Sequence, residues 1–183
     1  MQIFFPKEEG TEIRATILPE VAKKFIDLGI EVVIESEIGS KIFLSDDLYL
    51  QVGAAVSTDR SKSLSTADII CRINKPKMEE VAILKKNAIH VSFLDPFNDP
   101  DILQAMAGAG VTAVSLEMIP RSTLAQKMDA LSSQANIAGY TSVIYAAERL
   151  NKILPMMMTP AGTVSPAKFF IIGIGVAGLQ AIA

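Results

Sequence analysis

Lys168-Phe169-Phe170-Ile171-Ile172-Gly173-Ile174-Gly175-Val176-Ala177-Gly178-Leu179-Gln180-Ala181-Ile182-Ala183 is the stretch on which the reading of the fold turns. Phe169 to Ile172 form a short continuous apolar run, the pattern of a strand buried on both faces. Gly173, Gly175 and Gly178 follow with Gly-x-Gly-x-x-Gly spacing. In a dinucleotide fold the first glycine makes the tight strand-to-helix turn. The second lets the backbone approach a pyrophosphate, and the third lets the helix pack closely on the strand. The pyrophosphate then rests on the backbone N–H groups at the helix start.

Two plainer readings compete with this one. The glycines are also ordinary turn punctuation, and their spacing alone is a weak signal. The apolar run also has a membrane-seeking look, but it is shorter than the roughly 20 residues of a span. A dinucleotide unit continues for about 30 residues and carries an acidic residue about 20 positions beyond the glycines. The sequence ends at Ala183, so the expectation is a chain cut just inside its nucleotide domain.

Upstream, short apolar strands alternate with helices. Ile3 to Phe5, Val32 to Ile34, Ala54 to Val56, Asp68 to Ile73, Ala88 to Phe93 and Val111 to Ser115 read as strands. Helices are expected from Pro19 to the stop at Gly29, from a Ser45 N-cap to Val52, over Met78 to Leu84 and over Pro100 to Ala109. This alternation predicts an α/β fold with a doubly wound parallel sheet, a Rossmann-like first domain. The opening strand and Gly-rich turn of a second Rossmann domain follow it. The pattern changes after Pro120: Gln126 to Leu150 predict a long helix with a kink near Gly139, and the three prolines of Pro155 to Pro166 predict an interdomain crossing. The expected organisation is a first domain over 1–125, helix and crossing over 126–166, and the nucleotide domain from 167–183.

Half of the 183 residues are hydrophobic, which permits a sizeable core. Net charge is −3, with both signs dispersed, and no basic stripe points to nucleic acid. A single cysteine, Cys71, excludes an internal disulfide and reads as a small core residue. Lys7, Glu8 and Glu9 interrupt the start too early for a signal peptide. The lone histidine, His90, lies in an apolar strand and is expected to be packed and hydrogen-bonded. With no histidine or cysteine cluster, no metal site and no Ser-His-Asp or Cys-His set is expected. The polar residues Arg121, Gln126, Asp129, Ser132, Ser133 and Gln134 lie where a strand turns into the long helix, a place where open α/β sheets bind ligands. They read equally as a helix start rich in caps and solvated polar groups.

The run Pro120-Arg121-Ser122-Thr123-Leu124-Ala125-Gln126-Lys127-Met128-Asp129-Ala130-Leu131-Ser132-Ser133-Gln134-Ala135-Asn136-Ile137-Ala138-Gly139-Tyr140 resembles the signature loop and helix of the alpha subunit of proton-translocating NAD(P) transhydrogenase. The resemblance spans the chain, through Pro6-Lys7-Glu8, Arg14, Val91-Ser92-Phe93, Pro155 to Val164 and Gly173 to Ala183. It implies an NAD(H)-binding component that passes a hydride to NADP(H) on a partner domain, coupled to proton movement by a membrane-spanning partner. It further implies a homo-oligomer, cytoplasmic and peripheral to the inner membrane through its partner subunits. No residue is implied as catalytic acid or base. Arg121, Gln126, Asp129 and Ser132 are implied to orient the nicotinamide, and Gly173, Gly175, Val176, Ala177 and Gly178 to meet the pyrophosphate.

The related alanine dehydrogenases resemble the chain around Arg14 and the glycine turn. Their chemistry uses a lysine and a histidine, and at the matching places this chain has Asn74 and Asp95. Lys75 is one position away, a shift that turns a strand side chain to the other face. A third reading is a structural or interaction fragment without NAD binding of its own.

Overall fold

The computed structural model describes residues 1–183. They form two compact units, Met1–Ile119 and Pro120–Ala183.

The N-terminal unit is built on six parallel strands: β1 Gln2–Phe5, β2 Glu31–Glu35, β3 Ala55–Ser57, β4 Ile69–Cys71, β5 Ile89–Ser92 and β6 Thr112–Ser115. Their order across the sheet is β3-β2-β1-β4-β5-β6. The chain thus winds outward one way from β1 and then, from β4, the other way, which is the doubly wound arrangement. Five helices cross between the strands: α1 Pro19–Asp27, α2 Asp46–Gln51, α3 Arg60–Thr66, α4 Met78–Val81 and α5 Pro100–Gly108.

Alternate strand residues face opposite sides of a sheet, and here both sides are covered. Phe4, Val33 and Ile70 join Leu64 of α3, Val81 of α4, and Ile102 and Met106 of α5. Ile3, Phe5, Val32 and Ile34 join Ala22 of α1 and Tyr49 of α2 on the other side. Burial on both faces explains why the central strands read as unbroken apolar runs. Cys71 packs against this second core, and burial pushes its thiol up to about 11.

Local signals set the helix ends. Pro19 sits at the first position of α1, and Gly29 ends it in a left-handed turn at φ +79°. Helix α3 contains a single large apolar residue, Leu64, so its periodicity is silent. It is started by Asp59, whose carboxylate accepts from the Lys62 backbone N–H at 2.9 Å. Ser45 holds the N-cap position of α2 but makes no side-chain cap bond. The neighbouring Asp46 instead accepts from Ser36 Oγ at 2.7 Å and from the Glu37 N–H at 2.8 Å.

His90 corrects an expectation. It is fully buried on β5, yet neither ring nitrogen has a hydrogen-bond partner. Burial, with a further push from Arg72, holds its pKa down at about 4, so the ring is neutral.

The C-terminal unit holds α6 Ala130–Arg149, a hairpin of β7 Met157–Thr159 and β8 Gly162–Val164, and α7 Val176–Ile182. Helix α6 runs unbroken through Gly139 and begins later than expected, at Ala130, with Gln126–Met128 forming a separate 3₁₀ turn. The proline-rich stretch contains the hairpin, turned through Gly162 at φ +128°. Phe169 to Ile172, expected as a strand, pair with no other strand. Extended backbone is held by a ladder partner, and the hairpin strands pair only with each other.

Candidate functional site

The site lies within the C-terminal unit, where the loop before α6 and the glycine turn before α7 line adjoining clefts. Asp129 is the N-cap of α6. Its carboxylate accepts from the Ser132 backbone N–H at 2.9 Å and from Ser132 Oγ at 2.6 Å. These two hydrogen bonds, with the nearby Arg121 charge, hold the Asp129 carboxyl below the usual aspartate value. The cap satisfies an otherwise orphaned helix N–H. It also commits the Ser132 proton to Asp129, leaving the hydroxyl lone pairs as acceptors.

Arg121 stands in the irregular segment after Pro120, and Gln126 opens the 3₁₀ turn; both are exposed. A cleft of about 710 Å³ brings Arg121, Gln126, Asp129 and Ser132 together with Val176 of the glycine turn. A second, of about 510 Å³, is lined by Arg121, Ser132, Gly173, Gly175, Val176, Ala177 and Gly178. Arg121, Ser132 and Val176 belong to both walls, so the nine candidate residues are divided between two adjoining clefts. Ser133 and Asn136 also line the larger cleft. Asn136 follows Ser132 by four residues on α6, so helical spacing is the signal that could have found it.

The glycines differ in what they do. Gly173 adopts φ +98°, open to glycine and strained for other residues. Gly175 is the N-cap of α7, and a Cβ there would meet nothing within 4 Å. That open space is what a closely approaching pyrophosphate needs. A Cβ on Gly178 would lie 2.0 Å from the Gly173 carbonyl oxygen. The third glycine therefore serves the closing of the turn on itself. The groups lining the two clefts include a guanidinium, carboxamides and hydroxyls, which can donate to and accept from a polar ligand.

The residues weighed for amino-acid chemistry lie in the N-terminal unit and have other duties. Arg14 pairs with Glu12 at 2.6 Å. Asn74 donates its amide to Glu8 at 2.9 Å. Asp95, at φ +52°, accepts from Asn98 Nδ2 at 2.7 Å.

No helix is long and apolar enough to cross a membrane. Residues 4–138 match the family model for the alanine dehydrogenase/PNT N-terminal domain, and residues 142–183 match that for its C-terminal domain. An NAD(P) transhydrogenase alpha-subunit protein of Rhodospirillum rubrum is 40% identical over 189 residues, an alignment covering 100% of this chain and 49% of the relative. A crystal structure of transhydrogenase from Sinorhizobium meliloti superposes with a TM-score of 0.93 at 43% identity, over 100% of this chain and 55% of that one. An L-alanine dehydrogenase structure shares the fold with a TM-score of 0.84 at 24% identity, covering 100% of this chain and 51% of that one. The chain spans about half the length of the curated transhydrogenase relative. With its parallel α/β sheet, its glycine turn and family matches over both stretches, the chain belongs to the alanine dehydrogenase/PNT family.

Proposed function

We propose that the chain supplies the nicotinamide and pyrophosphate contacts of an NAD(H) site in a proton-translocating transhydrogenase. In this reading a hydride passes between NAD(H) held here and NADP(H) on a partner domain. A membrane-spanning partner couples the transfer to proton movement, and this component is a homo-oligomer lying at the cytoplasmic side of the inner membrane. The observation that carries the reading is that Arg121, Gln126, Asp129 and Ser132 line one cleft with Val176 of the glycine turn, and Arg121 and Ser132 line the adjoining cleft with the rest of that turn.

Hydride transfer between two nicotinamides requires no protein acid or base, so the protein's contribution is position. Arg121 donates to the carboxamide oxygen, and Gln126 both donates and accepts. Ser132, its proton held by Asp129, accepts from the carboxamide N–H. Gly173, Gly175, Val176, Ala177 and Gly178 form the turn against which the pyrophosphate lies. Oxidation of an amino acid is the weaker reading, because Asn74 and Asp95 stand where that chemistry uses a lysine and a histidine.

Saturation-transfer NMR of NADH with this chain tests the proposal and registers weak binding. Signal is expected on the nicotinamide protons and is expected to fall in Arg121→Ala and Gln126→Ala. Signal confined to adenine, or nicotinamide signal indifferent to both substitutions, would return these residues to the role of solvated polar groups at a helix start.

A further inference from the structure

Open α/β sheets hold ligands beyond the carboxyl ends of their strands, where the winding reverses. In the N-terminal unit that point lies between β1 and β4. The crevice there is filled by a carboxylate of the chain itself. Glu8, in the segment after β1, is 4% exposed. Its Oε1 accepts from the Ile73 N–H at 2.5 Å and from Thr16 Oγ1 at 3.4 Å. Its Oε2 accepts from the Asn74 N–H at 3.3 Å and from Asn74 Nδ2 at 2.9 Å. Ile73 and Asn74 follow β4. Arg14, whose pKa is raised chiefly by its bond to Glu12, is raised further by the Glu8 charge and so lies within its field.

Two adjacent backbone N–H groups, a carboxamide, a hydroxyl and a nearby guanidinium make a complete receptor for a carboxylate. They fill the roughly four acceptor positions that such a group offers. We propose that the switch-point crevice of the N-terminal unit is a small-carboxylate site, occupied by Glu8 as an intramolecular ligand and open to a free monocarboxylate when that side chain is cut back.

Acetate is the fragment that Glu8→Ala removes, the methylene and carboxylate beyond Cβ. Propionate carries one carbon more and collides with the alanine methyl. Thermal unfolding of the wild type, Glu8→Ala and Glu8→Gln is compared in sodium acetate, sodium propionate and sodium chloride at equal ionic strength. Glu8→Ala is expected to melt well below the wild type and to recover about 4 °C or more, saturably, in acetate. Propionate is expected to restore less and chloride nothing beyond a general salt effect. Glu8→Gln fills the same space, so it is expected to be destabilised without responding specifically to acetate. Equal responses of Glu8→Ala to acetate and chloride would overturn the proposal. So would a Glu8→Ala chain that stays unfolded at every acetate concentration.

Discussion

Gly139 of α6 faces the carbonyl of Ala177 in α7 so closely that a Cβ at position 139 would lie 2.2 Å from that oxygen. The two helices meet backbone to backbone at a point where only a hydrogen fits. The glycine that sequence patterning marks as a kink is instead the contact that seats the glycine turn's helix.

Gly139→Ala is therefore expected to destabilise the C-terminal unit by about 1–3 kcal/mol, the usual cost of forcing atoms into a packed contact. Gly108→Ala is the control. It sits at the end of α5, where an added Cβ meets nothing within 4 Å. There the gain of about 0.4–1 kcal/mol from restricting the unfolded chain should appear. Limited proteolysis between α6 and α7, beside chemical denaturation, reads both. A Gly139→Ala chain as resistant as the wild type would show that the helices can part without cost.

Asp129→Ala removes the α6 cap and frees the Ser132 hydroxyl. A loss of about 1 kcal/mol is expected. Asp129→Asn keeps a capping oxygen and should recover most of it. Because Asn cannot take the Ser132 proton as strongly, it should recover stability without recovering the nicotinamide NMR signal. Recovery of both together would mean that Ser132 needs no orientation by the carboxylate.

His90 predicts an acid-labile window. Its folded pKa of about 4 lies below the ordinary histidine value of 6.5, so between these values the unfolded chain binds the extra proton. Stability from this residue is complete above pH 6.5 and falls as the pH drops toward 4, by on the order of 3 kcal/mol. His90→Leu removes a titrating ring with two unpartnered nitrogens. It should flatten the stability curve between pH 6.5 and 4. Denaturation series at several pH values would show it, and an unchanged slope in the variant would assign the acid sensitivity elsewhere.

Glu80 acts in a lower window. Burial works against its ionised form, but Arg72, the Lys77 N–H and Arg60 outweigh it and hold the carboxyl at about 2. Its two oxygens accept from Arg72 Nη1 and Arg60 Nε, each at 2.7 Å. The folded value lies below the ordinary glutamate value of 4.5, so this stability is present above pH 4.5 and is lost as the pH falls toward 2. At neutral pH Glu80→Gln leaves Arg72, itself 4% exposed, without its charged partner. A cost of about 3–5 kcal/mol is expected, with a weaker dependence on pH below about 4.5. Urea unfolding at about pH 7 and pH 3.5 measures both, and a variant within about 1 kcal/mol of the wild type at neutral pH would mean that buried Arg72 needs no charged partner.

Much of the fold was legible because its signals are local. The strands from β1 to β6 are short apolar runs between turn residues, and Pro19 and Gly29 mark both ends of α1 by backbone preference alone. Helix α3 was not legible, because its single large apolar residue leaves no period and its start rests on the Asp59 side chain. The hairpin was hidden for a related reason: Pro155, Pro160 and Pro166 read as interruption, while the short strand segments between them reveal themselves only by pairing.

The same division runs through the candidate site. Residue type and spacing marked the polar cluster from Arg121 to Gln134 and the three glycines, since capping chemistry and turn geometry are properties of neighbours in sequence; the family resemblance singled out Arg121, Gln126, Asp129 and Ser132 within that cluster. Tertiary structure decided what no neighbour encodes: that the loop before α6 and the turn before α7 line adjoining clefts, and that Asn136 lines the larger. It decided too that Phe169 to Ile172 form no ladder, that His90 is buried without a partner, and that Glu8 fills the crevice at the head of the sheet. Each depends on groups distant in sequence, and only the folded packing determines which of them meet, with what polarity and with how much room.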